Sequence, residues 1–234
     1  YHGLTAKANQ RFTRGLTFVA SYAYQKNIDQ NSSFGGTSPQ NNLDIAAEMA
    51  PSDFDQTHVF NSGFSYELPG PRTGFARWLI GGWQATGFVT LETGRPFNIT
   101  LPFDNANVGA RGNFQRPNVV GDPFPDGWQK NYGPGGLYFD TSAFAAPAQY
   151  TFGNLARNAL RGPGFKNFDL GANKNFYFTE DVRLQFRSEF FNLFNFVNYG
   201  NPNGSFNTPN FGRVTGMAIP NGQRSIQLAL KLYW

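Results

Sequence analysis

Apolar and polar residues alternate with a period of two along seven segments, which is the pattern of β-strands with one apolar face. The segments are residues 2–10, 16–25, 58–68, 83–92, 167–178, 182–193 and 225–234. In the last segment, one side carries Ile226, Leu228, Leu230, Leu232 and Trp234, and the other Ser225, Gln227, Ala229, Lys231 and Tyr233. In the edge strand of a soluble protein, five alternating apolar side chains would be exposed to water, which is unfavourable. We therefore expect this side to face lipid.

The connections between the predicted strands alternate in length. Short turns join strands one and two and strands five and six, and a medium connection containing Pro69-Gly70-Pro71 joins strands three and four. Residues 27–55, 102–163 and 198–222 form long, irregular, polar connections. Outer-membrane barrels alternate short periplasmic turns with long external loops. We therefore expect the long connections outside the cell and the last strand to descend beside strand 182–193.

Strands five and six give the clearest separation of two faces. Their apolar side carries Phe168, Leu170, Phe176, Leu184, Phe186 and Phe190. We predict that a water-filled lumen is lined by the polar residues Asp169, Asn173, Arg183, Arg187, Glu189 and Lys231. Lys174 falls on the apolar side. Either its ammonium group extends to an interface, or the strand register shifts there.

Composition favours β structure over helices. The 234 residues include 26 Phe, 27 Gly and 15 Pro, with only 15% charged residues, and the mean hydropathy is −0.44. A helix across a membrane needs about 18 consecutive apolar residues, and the sequence has no such run. The net charge of +4 comes from basic residues spread singly along the chain, so we predict no nucleic-acid binding.

The sequence offers no catalytic or metal-binding constellation. Cys is absent, and the two histidines, His2 and His58, are far apart. We therefore predict no enzyme activity, no metal site and no cofactor, and we place His58 at a strand end near an interface. Asp53 and Asp55 could form an acid/base pair or a calcium site, but turn-forming residues are the favoured interpretation.

Tryptophan and tyrosine residues are candidates for two different roles. Trp78, Trp83 and Trp234 lie near predicted strand ends, where outer-membrane barrels carry an aromatic girdle. Trp128 and Tyr132 lie in the longest connection. Because aromatic rings at exposed loop positions can stack on a ligand, we name these two residues as candidate ligand contacts.

Several segments resemble the C-terminal barrel region of TonB-dependent outer-membrane receptors, particularly the Oar-like group. They are Pro51-Ser52-Asp53-Phe54-Asp55, Thr93-Gly94-Arg95-Pro96-Phe97, Leu160-Arg161-Gly162-Pro163-Gly164-Phe165, Asn167-Phe168-Asp169-Leu170, residues 183–195 and residues 228–234. The resemblance implies a barrel of about 22 strands filled by an N-terminal plug. This chain, residues 1–234, would then supply roughly the last third of the barrel domain. Trp234 departs from the Phe that usually ends the family's last strand.

The same resemblance implies the function and the partners. The protein would be a TonB-dependent transporter surrounded by outer-membrane lipid, whose loops capture an unknown extracellular substrate and whose plug is moved by the TonB complex. No plug domain, TonB box or signal peptide is recognisable here, and we interpret the start at Tyr1 as that of a fragment. Two alternatives stay open: a barrel-anchored adhesin or binding protein without transport, and a secreted carbohydrate-binding β-sandwich.

Overall fold

One antiparallel sheet of seven strands forms the centre of the computed structural model, which describes residues 1–32, 39–71, 73–109, 114–179, 181–219 and 222–234. The strands are β1 (His2–Thr13), β2 (Leu16–Lys26), β3 (His58–Glu67), β4 (Trp83–Glu92), β5 (Phe165–Tyr177), β6 (Arg183–Phe191) and β7 (Ser225–Tyr233). Each strand pairs with the next one in the chain. All seven predicted strands are confirmed, and their ends differ from the prediction by at most three residues.

The strand register places every predicted apolar face on the same side of the sheet. Residues directly opposite each other in an antiparallel pair lie on one face. Phe186 lies opposite Leu230, and Phe176 lies opposite Leu184. This side, the apolar face, includes Leu4, Phe18, Tyr22, Phe60, Phe64, Val89, Leu91, Phe168, Leu170, Phe186 and Leu230. The other side, the polar face, carries the alternate residues, and β6 is the neighbour of β7, as predicted.

Lys174 lies on the apolar face without any shift of register. It is opposite Trp83 in the last pair of the β4–β5 ladder, and it is opposite Phe186 in the β5–β6 ladder, which continues past it. The side chain is only 2% exposed, and its ammonium group donates a hydrogen bond to the carbonyl oxygen of Gly81. A register slip would have moved every later side chain to the other face. The slip is therefore wrong, and the ammonium group instead reaches a backbone carbonyl oxygen just before the start of β4.

A short helix, α1 (Gly74–Ile80), lies in the connection between β3 and β4, where the sequence predicted only a medium-length turn region. The Trp78 ring lies 5.2 Å from the ring of Phe176, so the helix packs at the end of the apolar face. Phe75 and Ile80 remain 75% and 63% exposed. Among the described residues, no helix has the length and apolar character needed to cross a membrane.

The hydrophobic core of the chain lies in its long connections and not in the sheet. We call these segments, residues 27–32, 39–57, 93–109, 114–164, 192–219 and 222–224, the loop cap. Its core consists of Phe97, Ile99, Tyr138, Phe139, Ala143, Phe144, Leu155, Leu160 and Phe211. The sequence predicted irregular loops and did not indicate that buried aromatic residues pack the connection between β4 and β5 against the connection between β6 and β7.

Short ladders and turns organise the loop cap. Ile28–Asp29 pairs with Ala50–Pro51, Pro96–Phe97 with Leu160–Arg161, and Asn118–Val119 with Phe144–Ala145. Two 3-10 turns, Ile45–Glu48 and Thr141–Ala143, complete the regular structure. All three long connections start and finish at one end of the sheet, the loop end, and the short turns and α1 lie at the other, the turn end.

The apolar face of β7 is open rather than packed. Ile226, Leu228 and Leu230 are 59%, 64% and 69% exposed. In a β-sandwich these side chains would be covered by a second sheet at about 10 Å. Within the described part of the chain nothing covers them, so the sandwich alternative is wrong.

Candidate functional site

Three arginine–carboxylate pairs hold the loop cap together. Each arginine comes from the connection between β4 and β5, and each carboxylate comes from the connection between β2 and β3. The pairs are Arg116–Glu48, Arg157–Asp29 and Arg161–Asp55. Since planar guanidinium groups bind carboxylates with two directed bonds, such pairs fix the position of one loop on another.

Arg116 and Glu48 form the most buried of these pairs. Both terminal nitrogens of Arg116 donate to the Glu48 carboxylate at 2.8 Å, and the Nε atom donates to the Leu155 carbonyl oxygen at 2.8 Å. The two side chains are 5% and 4% exposed. Burial raises the pKa of Glu48, but the hydrogen bonds and the charge of Arg116 lower it by a larger amount. The pKa of Glu48 therefore lies below its ordinary value.

Arg157 joins several backbone and side-chain acceptors at once. It donates to the carbonyl oxygens of Glu48 at 3.1 Å and Asp29 at 2.7 Å, and to the Asp29 carboxylate. Burial raises the pKa of Asp29, whereas hydrogen bonds from Arg157 and Ser32 lower it by more, so the carboxylate stays charged. The Asp53 carboxylate lies 3.7 Å from the same guanidinium.

Asp53 and Asp55 are therefore bridging carboxylates between loops. Asp55 is fully buried, accepts a hydrogen bond from the Asn27 backbone N–H at 2.6 Å, and pairs with Arg161. The turn predicted from the sequence is confirmed, because Asp53 lies in a turn that the Asp55 N–H closes by donating to the Ser52 carbonyl oxygen at 2.9 Å; the bridges formed by the two carboxylates were not predicted. Among the described residues, no group of three or more His, Cys, Asp or Glu side chains could hold a metal ion.

Three of the segments singled out in the sequence meet at one joint of the loop cap. Arg161 donates to the carbonyl oxygens of Asp55 at 3.3 Å and Gly94 at 3.2 Å, and the Gly162 N–H donates to the Arg95 carbonyl oxygen at 2.9 Å. A Cβ atom on Gly94 would lie 1.8 Å from the Gly162 carbonyl oxygen, so only glycine fits. The segment Arg161-Gly162-Pro163-Gly164 thus forms a backbone crossing at the loop end of the sheet.

The six predicted lumen residues all lie on the polar face. Asp169 accepts hydrogen bonds from the Asn167 side chain at 2.9 Å and the Asn192 backbone N–H at 2.8 Å. Arg187 forms an ion pair with Glu189, and the Arg183 guanidinium lies 4.3 Å from the ring centre of Tyr233. The polar face therefore presents charges of both signs, and polar inner faces are typical of outer-membrane barrels.

The structure separates the two candidate ligand contacts, Trp128 and Tyr132. The Trp128 indole N–H donates to the Tyr138 carbonyl oxygen at 3.1 Å, a bond within the loop cap. Tyr132 stacks on Tyr199, with ring centres 4.5 Å apart and planes at 19°, and lines a cavity of about 540 Å³. Burial, and then the neighbouring Tyr199, raise the pKa of Tyr132. Of the two candidates, Tyr132 lines that cavity and could contact a molecule in it, whereas Trp128 does not line it.

Aromatic residues mark both ends of the apolar face. At the turn end, Trp83 begins β4 and Trp78 packs on Phe176, while Trp234, 89% exposed, follows β7. At the loop end, the His58 ring lies 6.1 Å from the ring of Tyr22 and 5.3 Å from that of Tyr24. The Tyr22 hydroxyl and the His58 Nδ1 atom are 2.8 Å apart. His58 is thus a strand-end residue, as predicted.

Comparison with known protein families identifies the family of almost the whole chain. Residues 1–227 match the family model described as "Outer membrane beta barrel domain". The matched region contains β1 to β6, the whole loop cap and the first residues of β7. No curated protein and no solved structure matches the chain.

Proposed function

The chain belongs to the outer membrane beta barrel domain family, and from this premise we propose that it is the barrel part of a TonB-dependent transporter. Its location is the bacterial outer membrane. In this proposal the apolar face contacts lipid and the polar face lines a plugged lumen. The loop cap stands outside the cell and captures the substrate.

The observation that carries the proposal is the combination of a seven-stranded sheet with one polar face and a loop cap held by buried ion pairs and an aromatic core. Aqueous lumens belong to wide barrels, whose strands alternate between apolar outer and polar inner residues. Loops already ordered by buried pairs such as Arg116–Glu48 lose little further entropy when a ligand binds. Both features suit capture of a solute followed by passage.

The proposal also assigns partners to the edges of the sheet. β1 and β7 each have one neighbour in the sheet. Unpaired backbone groups are costly in hydrocarbon, so further strands would pair with both edges and complete a barrel of about 22 strands. A plug domain would fill this barrel, and the TonB complex would supply the energy that moves the plug.

Uptake measurements test the transport proposal. Cells producing the protein and cells lacking it are grown in the same medium, and the solutes remaining outside are compared by mass spectrometry, with and without a protonophore. We expect at least one solute to be depleted only by producing cells with an intact proton-motive force. Depletion that ignores the protonophore, or no depletion at all, would refute TonB-dependent transport.

The second candidate is a barrel-anchored adhesin or binding protein that transports nothing. The observation favouring it is that the buried core of the chain lies in the loop cap, so the cap could bind a partner without help from the polar face. This candidate predicts surface binding that persists in the presence of a protonophore. It also predicts that Arg187→Gln on the polar face leaves binding and growth unchanged.

A further inference from the structure

The cavity beside Tyr132 lies where the loop cap meets the apolar face. Its sheet side is formed by residues near the loop end of β3, β4 and β5, including Phe60, Leu91 and Lys166 from the apolar face. Its cap side is formed by Tyr132, Val197 and Tyr199. A volume of about 540 Å³ is in the range of sites that hold small organic molecules.

The lining of this cavity combines apolar walls with a cation. Aromatic and aliphatic side chains form most of the surface. The Lys166 ammonium group lies 4.5 Å from the ring centre of Phe196, and among the described residues it forms no ion pair. The one carboxylate in the lining, Glu92, accepts a hydrogen bond from the Gln56 side chain at 2.7 Å and belongs to the polar face. An anion beside Lys166 would therefore meet a cation without a carboxylate partner.

The position of the cavity indicates the source of such an anion. The cavity continues the apolar face, which contacts lipid in an outer-membrane barrel, and it lies at the loop end, beside the aromatic cluster of Tyr22, Tyr24 and His58. Rings of this kind mark the level of the lipid head groups. A molecule entering sideways from the membrane would place its chain against Phe60 and Leu91 and its head group near Lys166.

We propose that this cavity binds an anionic amphiphile of the surrounding membrane, with its alkyl chain on the apolar wall and its anionic head group at Lys166. Tyr132 and Tyr199 cover the bound chain from the loop cap. The proposal needs the membrane orientation of the family but does not need transport. The uptake experiment can therefore give a negative result while the photolabelling experiment below gives a positive one, and the reverse is also possible.

Photolabelling in vesicles tests the proposal. The protein is reconstituted in phosphatidylcholine vesicles that carry a diazirine in the acyl chain of either phosphatidylglycerol or phosphatidylcholine. Labelled peptides are identified by mass spectrometry after irradiation. We expect the phosphatidylglycerol probe to label the peptides of Tyr132 and Tyr199 about five-fold more than the phosphatidylcholine probe, as one basic residue near the membrane surface implies. Equal labelling by the two probes would overturn the anionic head group.

Matched variants locate the label. Lys166→Gln should reduce the phosphatidylglycerol signal at Tyr132 about five-fold, whereas Lys7→Gln on the polar face of β1 should leave it unchanged. Val197→Trp should fill the cavity and abolish the signal, while labelling around Leu230 on the open apolar face shows that the protein is inserted. If neither Lys166→Gln nor Val197→Trp lowers the signal, the assignment to this cavity is wrong.

A third arm separates the membrane from the external water as the source. A short alkanoate carrying a diazirine is added to the aqueous phase around vesicles without lipid probe. We expect little labelling of Tyr132 and Tyr199 from this soluble amphiphile. Stronger labelling from the water than from the lipid probe would overturn the membrane source.

Discussion

The buried pair between Arg116 and Glu48 allows a quantitative test of how the loop cap is held. Arg116→Met removes two bonds to the carboxylate and one to the Leu155 carbonyl oxygen. It leaves Glu48, 4% exposed, without a cation. Breaking a buried ion pair on one side costs about 3–5 kcal/mol. The free energy of opening the cap should fall by that amount, which corresponds to roughly two to four orders of magnitude in the opening equilibrium.

Hydrogen exchange in the membrane-inserted protein measures this change. The amides of Leu101 and Leu155 donate to the carbonyl oxygens of Gln115 and Pro117, directly beside Arg116, and they report opening of the cap. Arg213→Met is the matched control, because its guanidinium donates to carbonyl groups near solvent. The control should change exchange by less than about tenfold. If Arg116→Met also stays within tenfold at Leu101 and Leu155, the pair does not hold the loops together.

Three further predictions concern the sheet, the pH dependence and the backbone crossing. Leu230 lies five residues from the loop end of β7, about 13 Å deep for a strand tilted by about 40°. Leu230→Arg should therefore cost about 2–4 kcal/mol in a membrane-folding titration, and Gln227→Arg on the polar face should cost little. Because burial and the stronger opposing effect of Arg116 leave the pKa of Glu48 below its ordinary 4.5, its stabilisation is complete above pH 4.5 and is lost as pH falls through the lowered pKa. Cap amides, corrected for intrinsic rates, should exchange faster over that acid range. Gly94→Ala would place a methyl carbon 1.8 Å from a carbonyl oxygen and should destabilise the cap by about 1–3 kcal/mol in the same exchange assay, whereas Gly216→Ala, with open space around it, should not.

The sheet could be predicted from the sequence because alternation is a local property. Each strand carries its own period-two pattern, and matching apolar faces across neighbours then fixes the register. Lys174 shows the limit of this reasoning, since the sequence left two explanations for a cation on the apolar side. The pairing of Lys174 with Trp83 and Phe186 excludes the slip, and the carbonyl oxygen that its ammonium group binds belongs to Gly81, 93 residues away in the chain. Helix α1 was missed because seven residues are too few for a helical period to be distinguished.

The loop cap could not be predicted, because its contacts join distant residues without periodicity. Arg116 and Glu48 are 68 positions apart, and Arg157 and Asp29 are 128 apart. The sequence identified Tyr132 only as an aromatic residue in a long loop. It missed Lys166, since the predicted strand began at residue 167 and β5 begins at Phe165. Because of this error of two residues, the predicted apolar face did not include Lys166, although a cation on that face would have indicated a possible binding site.

The assignment of the two faces of the sheet is the central claim, and spin labels along β7 test it most directly. The chain contains no Cys, so single cysteines at each position from Ser225 to Tyr233 can be labelled without background. In the membrane-inserted protein, labels at Ile226, Leu228 and Leu230 should collide with oxygen dissolved in lipid, and labels at the alternate positions with a water-soluble nickel complex. Accessibility should therefore alternate with a period of two. A profile without alternation, or one in which the nickel complex reaches both sets equally, would contradict the account.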